Sequence, residues 1–206
     1  MAYSDFTFTK LQTKFNIDQE SKHLFKGITI VNQKPSKHLL DDISAGREMP
    51  IYSEKAKSEA LIFPIIREIK RKNPNISIFS GYTFNVDIEN ELSGAPDFLI
   101  SAKPKIVEPQ RPIFCLLESK NKTPEEGFAQ CAAEMYAARV FNAQTDEKLE
   151  VIYGAVTNAF DWVFLKLEGD TIYIDLDRYF LNELPKLLGI LQYIVNQSVI
   201  PSKVSI

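Results

Sequence analysis

The chain has 206 residues, 24 Lys and Arg against 27 Asp and Glu for a net charge of −3, and 45% hydrophobic and 25% charged residues. That balance fits one domain with a substantial core and excludes disorder as an account of any long part of it. A net acidic chain also argues against a binder that holds nucleic acid by charge alone, because phosphate contacts dominate such affinity.

The first residues, Met1-Ala2-Tyr3-Ser4-Asp5-Phe6, have neither the basic nor the apolar region of a secretion signal. Residues 1–52 read as an N-terminal extension packed on a main domain of residues 53–206. Within the extension, Phe6-Thr7-Phe8 alternates like a strand, Gly27-Ile28-Thr29-Ile30-Val31 is a β-branched run, and Leu39 to Ile43 reads as a helical turn. From Ser53, a suitable N-cap, the apolar positions Ala60, Ile62, Phe63, Ile66 and Ile69 predict a helix that ends before Asn73-Pro74. Pro64 predicts a kink or break in it.

Strands are expected at Ile76 to Asn85, at Asp97 to Ser101 and at Ile113 to Ser119, the last after a loop with Pro104, Pro109 and Pro112. Thr123-Pro124-Glu125-Glu126 predicts a helix start, with Thr as cap, Pro at the first position and Glu three residues after the Thr. That helix runs to about Phe141. Strands follow at Leu149 to Val156, Trp162 to Leu167 and Thr171 to Leu176, then a helix from about Arg178 to Val195. The expected architecture is α/β with a mixed sheet flanked by helices.

Leu187 to Ile200, the most apolar late stretch, is too short to span a bilayer and contains Gln192, Asn196 and Gln197, so no membrane association is expected. Cys115 and Cys131 read as reduced core thiols, and a cytoplasmic location follows. The leucine- and isoleucine-rich last helix reads as a face for a homodimer or a partner subunit.

Charge is unevenly distributed. Residues 54–72 hold six basic side chains against three acidic, residues 101–124 five against two, and residues 141–185 three against nine. This reads equally as two solvated surfaces of different sign or as a phosphate-binding groove.

The most informative residues are Pro96-Asp97 and Glu118-Ser119-Lys120, each flanking a strand-like apolar run. Residues i and i+2 of a strand share a face, so Glu118 and Lys120 project to the same side. If the two runs are antiparallel neighbours, Asp97 at the start of one joins them at the end of the other. Carboxylates gathered in this way suit Mg²⁺, which takes oxygen ligands and accepts phosphate. The blander account is an exposed ion pair worth under about 1 kcal/mol.

Other candidates carry ordinary explanations beside functional ones. Glu59 is an acid near a helix start, where the dipole favours it. Gln130 and Glu134, four residues apart, read as a solvated helix pair. Ser80 and Ser93 lie in no nucleophile elbow. His23 and His38, the only histidines, lie outside the proposed core, so a zinc site or a histidine acid–base mechanism would lack ligands. Trp162, Phe164 and Tyr173 read as packing residues.

On Pro96-Asp97 and Glu118-Ser119-Lys120, the chain resembles the PD-(D/E)XK nuclease superfamily, the restriction endonuclease-like proteins. The likeness covers roughly residues 53–158. Short pieces (Glu54 to Glu59, Leu92 to Phe98 and Gln130 to Met135) are similar to uncharacterised cyanobacterial members. Ala155-Val156-Thr157-Asn158 before Trp162 is similar to the strand-turn-strand after the nuclease core of type I restriction subunits.

The resemblance implies an αβββαβ core with an added hairpin and C-terminal helix. It implies that Asp97, Glu118 and the Ser119 carbonyl hold Mg²⁺, with Mn²⁺ as a substitute, and that Lys120 orients the attacking water. Glu59 would reach the metal through water, and Gln130 would stand on the helix after the signature. The implied partner is DNA and the implied reaction is hydrolysis of its phosphodiester bonds. The alternative is a nucleic-acid-binding or assembly subunit of the same fold with little catalysis.

Overall fold

The computed structural model describes residues 2–144 and 149–198. Near its start, the Thr7 hydroxyl accepts the Lys10 N–H at 3.1 Å and caps α1 (Phe8–Phe15). The alternation expected as a strand is therefore a helix start. The strand of this region is instead β1 (Asp18–Lys22), whose side chains are nearly all exposed. Gly27 takes a φ of +79° and turns the chain, and the run to Val31 forms no strand. Ser36 accepts the Leu39 N–H at 3.2 Å and starts α2 (Lys37–Glu48), longer than the single turn expected.

The helix expected from Ser53 forms in three consecutive pieces. Ser53 accepts the Ala56 N–H at 3.1 Å. From it run α3 (Glu54–Lys57), a wide π turn (Ser58–Ile62) and α4 (Phe63–Lys72). Pro64 has no N–H to give the Ala60 carbonyl, and the break expected at the proline appears as the π turn just ahead of it. Gly46 of α2 packs on that carbonyl so closely that a methyl group there would overlap it. Ile62, Ile65, Ile66 and Ile69 are buried, while Arg67 and Arg71 are exposed.

The sheet strands are β2 (Ser77–Ser80), β3 (Phe98–Ser101), β4 (Ile113–Ser119), β5 (Val151–Thr157), β6 (Asp161–Glu168), β7 (Thr171–Asp175) and the short β8 (Tyr179–Phe180). With β1 they form one mixed sheet in the order β1-β7-β6-β5-β4-β3-β2, β8 pairing with β6. β4 and β5 are parallel, as are β1 and β7; the other pairings are antiparallel. β2 is shorter than expected because Gly81, at φ +58°, ends it.

Between β4 and β5 lies α5 (Phe128–Asn142), preceded by a 3₁₀ turn over Pro124–Gly127. Pro124 opens this segment as expected, but Thr123 makes no side-chain cap. The last helix is α6 (Leu184–Ser198); β8 takes the residues expected as its first turn.

Two cores cover the two faces of the sheet. One gathers apolar residues of α2, α4 and α6, the other those of α1 and α5. Leu187, Leu188, Ile190, Leu191 and Ile194 of α6 are buried in the first core, so the side chains expected as a partner face are covered by the chain itself. Among the described residues, no helix is long and apolar enough to cross a membrane. The order helix, three strands, helix, strand over residues 54–157 puts the ends of β3 and β4 beside the start of α5.

Candidate active site

β3 and β4 run antiparallel with Phe98 opposite Leu117. Asp97, one residue before β3, therefore lies beside Glu118 and Ser119. Asp97 Oδ2 accepts two hydrogen bonds from Ser119, the backbone N–H at 2.7 Å and the hydroxyl at 2.6 Å. Ser119 was expected to contribute its carbonyl; the contact seen is through its two donors.

Glu118 and Lys120 turn toward α5. The backbone holds them there, since the Lys120 N–H continues the β4–β5 ladder onto the Thr157 carbonyl at 2.8 Å. Lys120 Nζ donates to Glu118 Oε2 at 3.3 Å and to Gln130 Oε1 at 2.9 Å. Gln130 Nε2 in turn donates to Glu134 Oε1 at 3.2 Å. Gly127 makes room for the lysine stem: a methyl there would come within 2.8 Å of Lys120 Cε and 2.7 Å of Val156 Cγ1.

Gln130 and Glu134 are thus no solvated pair. Glu134 is 0% exposed and Glu118 2%. Glu118 Oε1 and Glu134 Oε2 are buried without a donor. The two carboxyls lie within hydrogen-bonding reach of each other, and that bond forms only when one of them holds a proton.

Burial, and then the Glu118 charge, push the Glu134 carboxyl well above the ordinary carboxylate range. Burial also raises Glu118, with Asp97 adding to the rise and Glu134 and Lys120 opposing it. For Lys120, burial alone favours the neutral amine, but Glu118, Glu54 and Asp97 outweigh it, and the ammonium is held more tightly than in water. The site is a carboxylate group with one strongly held cation at its centre.

Glu59 does not join it. Its side chain is 71% exposed and pairs with Lys55 at 3.9 Å. The acid that α3 brings in is Glu54, in the first turn after Ser53. Burial raises its carboxyl, Lys120 and Asp97 both act on it, and the Asn121 N–H donates to it. Lys57 reaches the Asn121 carbonyl and ties the same helix to the chain just after Lys120.

Several basic residues of the uneven charge pattern are engaged elsewhere. Arg67 pairs with Asp42, Arg71 with Glu68 at 3.3 Å, and Arg111 donates to the Phe141 carbonyl at 2.6 Å. Tyr136 stacks on Phe15 of α1, with ring centroids 4.4 Å apart, and takes no part in the cluster.

His23 has closer acidic neighbours than the sequence suggested. Its ligand atom and those of Asp175 and Asp177 all lie within 4.8 Å of one another. Asp175, however, is satisfied structurally: it accepts the N–H groups of Leu24 and Asp177, each at 3.1 Å, and the Tyr179 hydroxyl at 2.9 Å. A cleft of about 540 Å³ opens beside His23 and Asp177, lined by no residue of the Asp97 cluster. No protein-family model matches the chain, and no curated protein matches it.

Proposed function

We propose that the chain is a Mg²⁺-dependent deoxyribonuclease of the PD-(D/E)XK type, with a restriction endonuclease-like core. The observation that carries this reading is the meeting of Asp97, Glu118 and Lys120 at the adjoining ends of β3 and β4, with a buried Glu118 oxygen that has no donor. The succession of helix, three strands, helix and strand supports it.

The donor set suits a divalent cation. Asp97, Glu118 and Glu54 supply oxygen ligands of the kind Mg²⁺ and Mn²⁺ take. Two like charges at about 4 Å repel by roughly 4 kcal/mol at an effective dielectric of 20. One lysine leaves the acids in excess, and a divalent ion removes that repulsion. Asp97 and Glu118 would hold it, with Glu54 in the place that the resemblance implies for Glu59. Such an ion, when bound, supplies Lewis-acid polarisation of a phosphoryl oxygen and a nucleophile at neutral pH.

The chain's own residues do the rest. Ser119 fixes one oxygen of Asp97 with two donors. Lys120, kept protonated by its carboxylate neighbours, offers its remaining N–H to a phosphate oxygen or to the attacking water. Gln130 holds that ammonium from the α5 side.

The test is Mg²⁺-dependent cleavage of plasmid and branched DNA by wild-type, Asp97→Ala and Lys120→Ala proteins shown to be folded. Cleavage by the wild type alone, abolished by chelator, is expected. Equal cleavage by all three sinks the mechanism. The competing reading is a nucleic-acid-binding or assembly subunit of the same fold with little catalysis. It predicts salt-dependent binding that survives chelation, with no cleavage under any divalent metal.

A further inference from the structure

We propose that Glu134 is a positioning residue of this site: from inside the core it fixes the Gln130 amide, and through it the Lys120 ammonium. The proposal rests on reading Asp97, Glu118 and Lys120 as the reacting cluster.

A chain of hydrogen bonds carries the argument. Gln130 has one carbonyl oxygen and one NH₂ group, and either could face Lys120 if the amide were free to turn over. Lys120 has no acceptor, so only the carbonyl can receive it. Glu134 enforces that orientation, because its carboxyl offers an acceptor to Gln130 Nε2 at 3.2 Å while Gln130 Oε1 receives Lys120 Nζ at 2.9 Å. Glu134 is 0% exposed and sits among Cys131, Ala132, Ala133, Met135, Ala137 and Ala138, all buried, so its side chain has no alternative place in solvent. A carboxyl in such a setting is held only by specific partners.

Its second oxygen is one of the two in the site that lack a donor, the other being on Glu118. Glu118, Lys120, Gln130 and Glu134 thus form a chain of hydrogen bonds that runs from β4 into α5. The direction of Lys120 is set from α5, through Gln130, as well as by Glu118 of β4. Groups that orient a reacting residue in this way commonly contribute about 10–100-fold to affinity or activity.

Wild-type, Glu134→Gln, Glu134→Leu and Gln130→Ala proteins are compared in two ways, after circular dichroism shows which are folded. The first is carbon-13 NMR of the lysine ε carbons, with Lys120 assigned from the spectrum of Lys120→Arg; this needs no catalysis. The second is steady-state Mg²⁺-dependent cleavage of plasmid DNA. Glutamine at 134 keeps an acceptor for Gln130 and gains an N–H for Glu118, so the Lys120 resonance is expected to stay in place and most of kcat to survive. Glu134→Leu and Gln130→Ala are expected to move that resonance and to lower kcat about 10–100-fold, with KM for DNA within about twofold.

An unmoved Lys120 resonance in Glu134→Leu and in Gln130→Ala overturns the proposal, whatever happens to cleavage. So does an equal loss of kcat in Glu134→Gln and Glu134→Leu, because the residue would then act by its charge. If Glu134→Leu does not fold, the half-buried Gln130 position decides by the same resonance. If the wild type cuts no DNA with Mg²⁺ or Mn²⁺, the nuclease reading falls, and the NMR comparison still decides what Glu134 holds.

Discussion

At the scale of single residues, Asp97 has two separable jobs. It accepts both donors of Ser119, and it presents negative charge beside Glu118. Asp97→Ala leaves those donors without their acceptor and is expected to reduce stability by about 1–3 kcal/mol in urea unfolding. Asp97→Asn keeps a carbonyl for Ser119, so most of that stability should return while cleavage stays lost. Recovery of cleavage by the asparagine variant would deny Asp97 a role as an anionic ligand. The convergence of Asp97, Glu118 and Lys120 was legible because the period of two and the antiparallel pairing follow from local pattern alone. Glu54 was not legible in preference to Glu59. Residues five apart on a helix face different ways, and which face turns inward depends on the π turn at Ser58–Ile62 and on how α3 meets Asn121. Glu134 was also missed, since a polar i, i+4 pair looks the same exposed or buried. The available signal was its setting among alanines, because a helix apolar all round is a buried one.

At the scale of elements, two glycines set how closely parts of the fold approach. Gly127 lets the stem of Lys120 pass the start of α5 and pack beside Val156. Gly127→Ala is expected to fold, because the methyl meets side chains and not backbone, but it should displace Lys120 and lower cleavage about tenfold or more. Thermal unfolding measured beside kcat separates the two effects; unchanged kcat would show that the lysine tolerates the shift. Gly46 differs because the methyl would meet the Ala60 carbonyl. Alanine gains up to about 1 kcal/mol of helix propensity there, against an overpacking cost of about 1–3 kcal/mol. Net destabilisation by Gly46→Ala is therefore expected, read as a lower urea midpoint, and a raised midpoint would contradict the α2–π-turn contact. The main-domain elements were readable from apolar periodicity and Pro64. The N-terminal ones were less so: β1 is an exposed edge strand with no apolar alternation, and its place beside β7 comes from a pairing about 150 residues away that local pattern does not encode.

At the scale of the whole molecule, the buried acids make stability depend on pH in an unusual direction. Glu118 and Glu134 both carry raised carboxyl values, from burial first and then from their neighbours, and burial raises Glu54 and Asp175 as well. The folded chain therefore holds more protons than the unfolded one above the ordinary carboxylate range, and stability falls as pH rises through that window. Asp87, Glu91 and Glu168 are held low by hydrogen bonds and lysines, so they act in the opposite sense, but only at pH values below that range. Between about pH 5 and 8 the raised group governs, and the metal-free protein should lose stability toward pH 8. Glu134→Gln removes one of these protons and should flatten the slope. A divalent ion bound as proposed would reverse the trend, because it takes the carboxylates only after the protons leave; at about 100 times its Kd it would add roughly 2.7 kcal/mol. Urea midpoints measured at pH 5, 6.5 and 8, with chelator and with Mg²⁺, should diverge as pH rises. Parallel curves in the two conditions would mean that the ion does not bind where Glu118 and its neighbours release their protons.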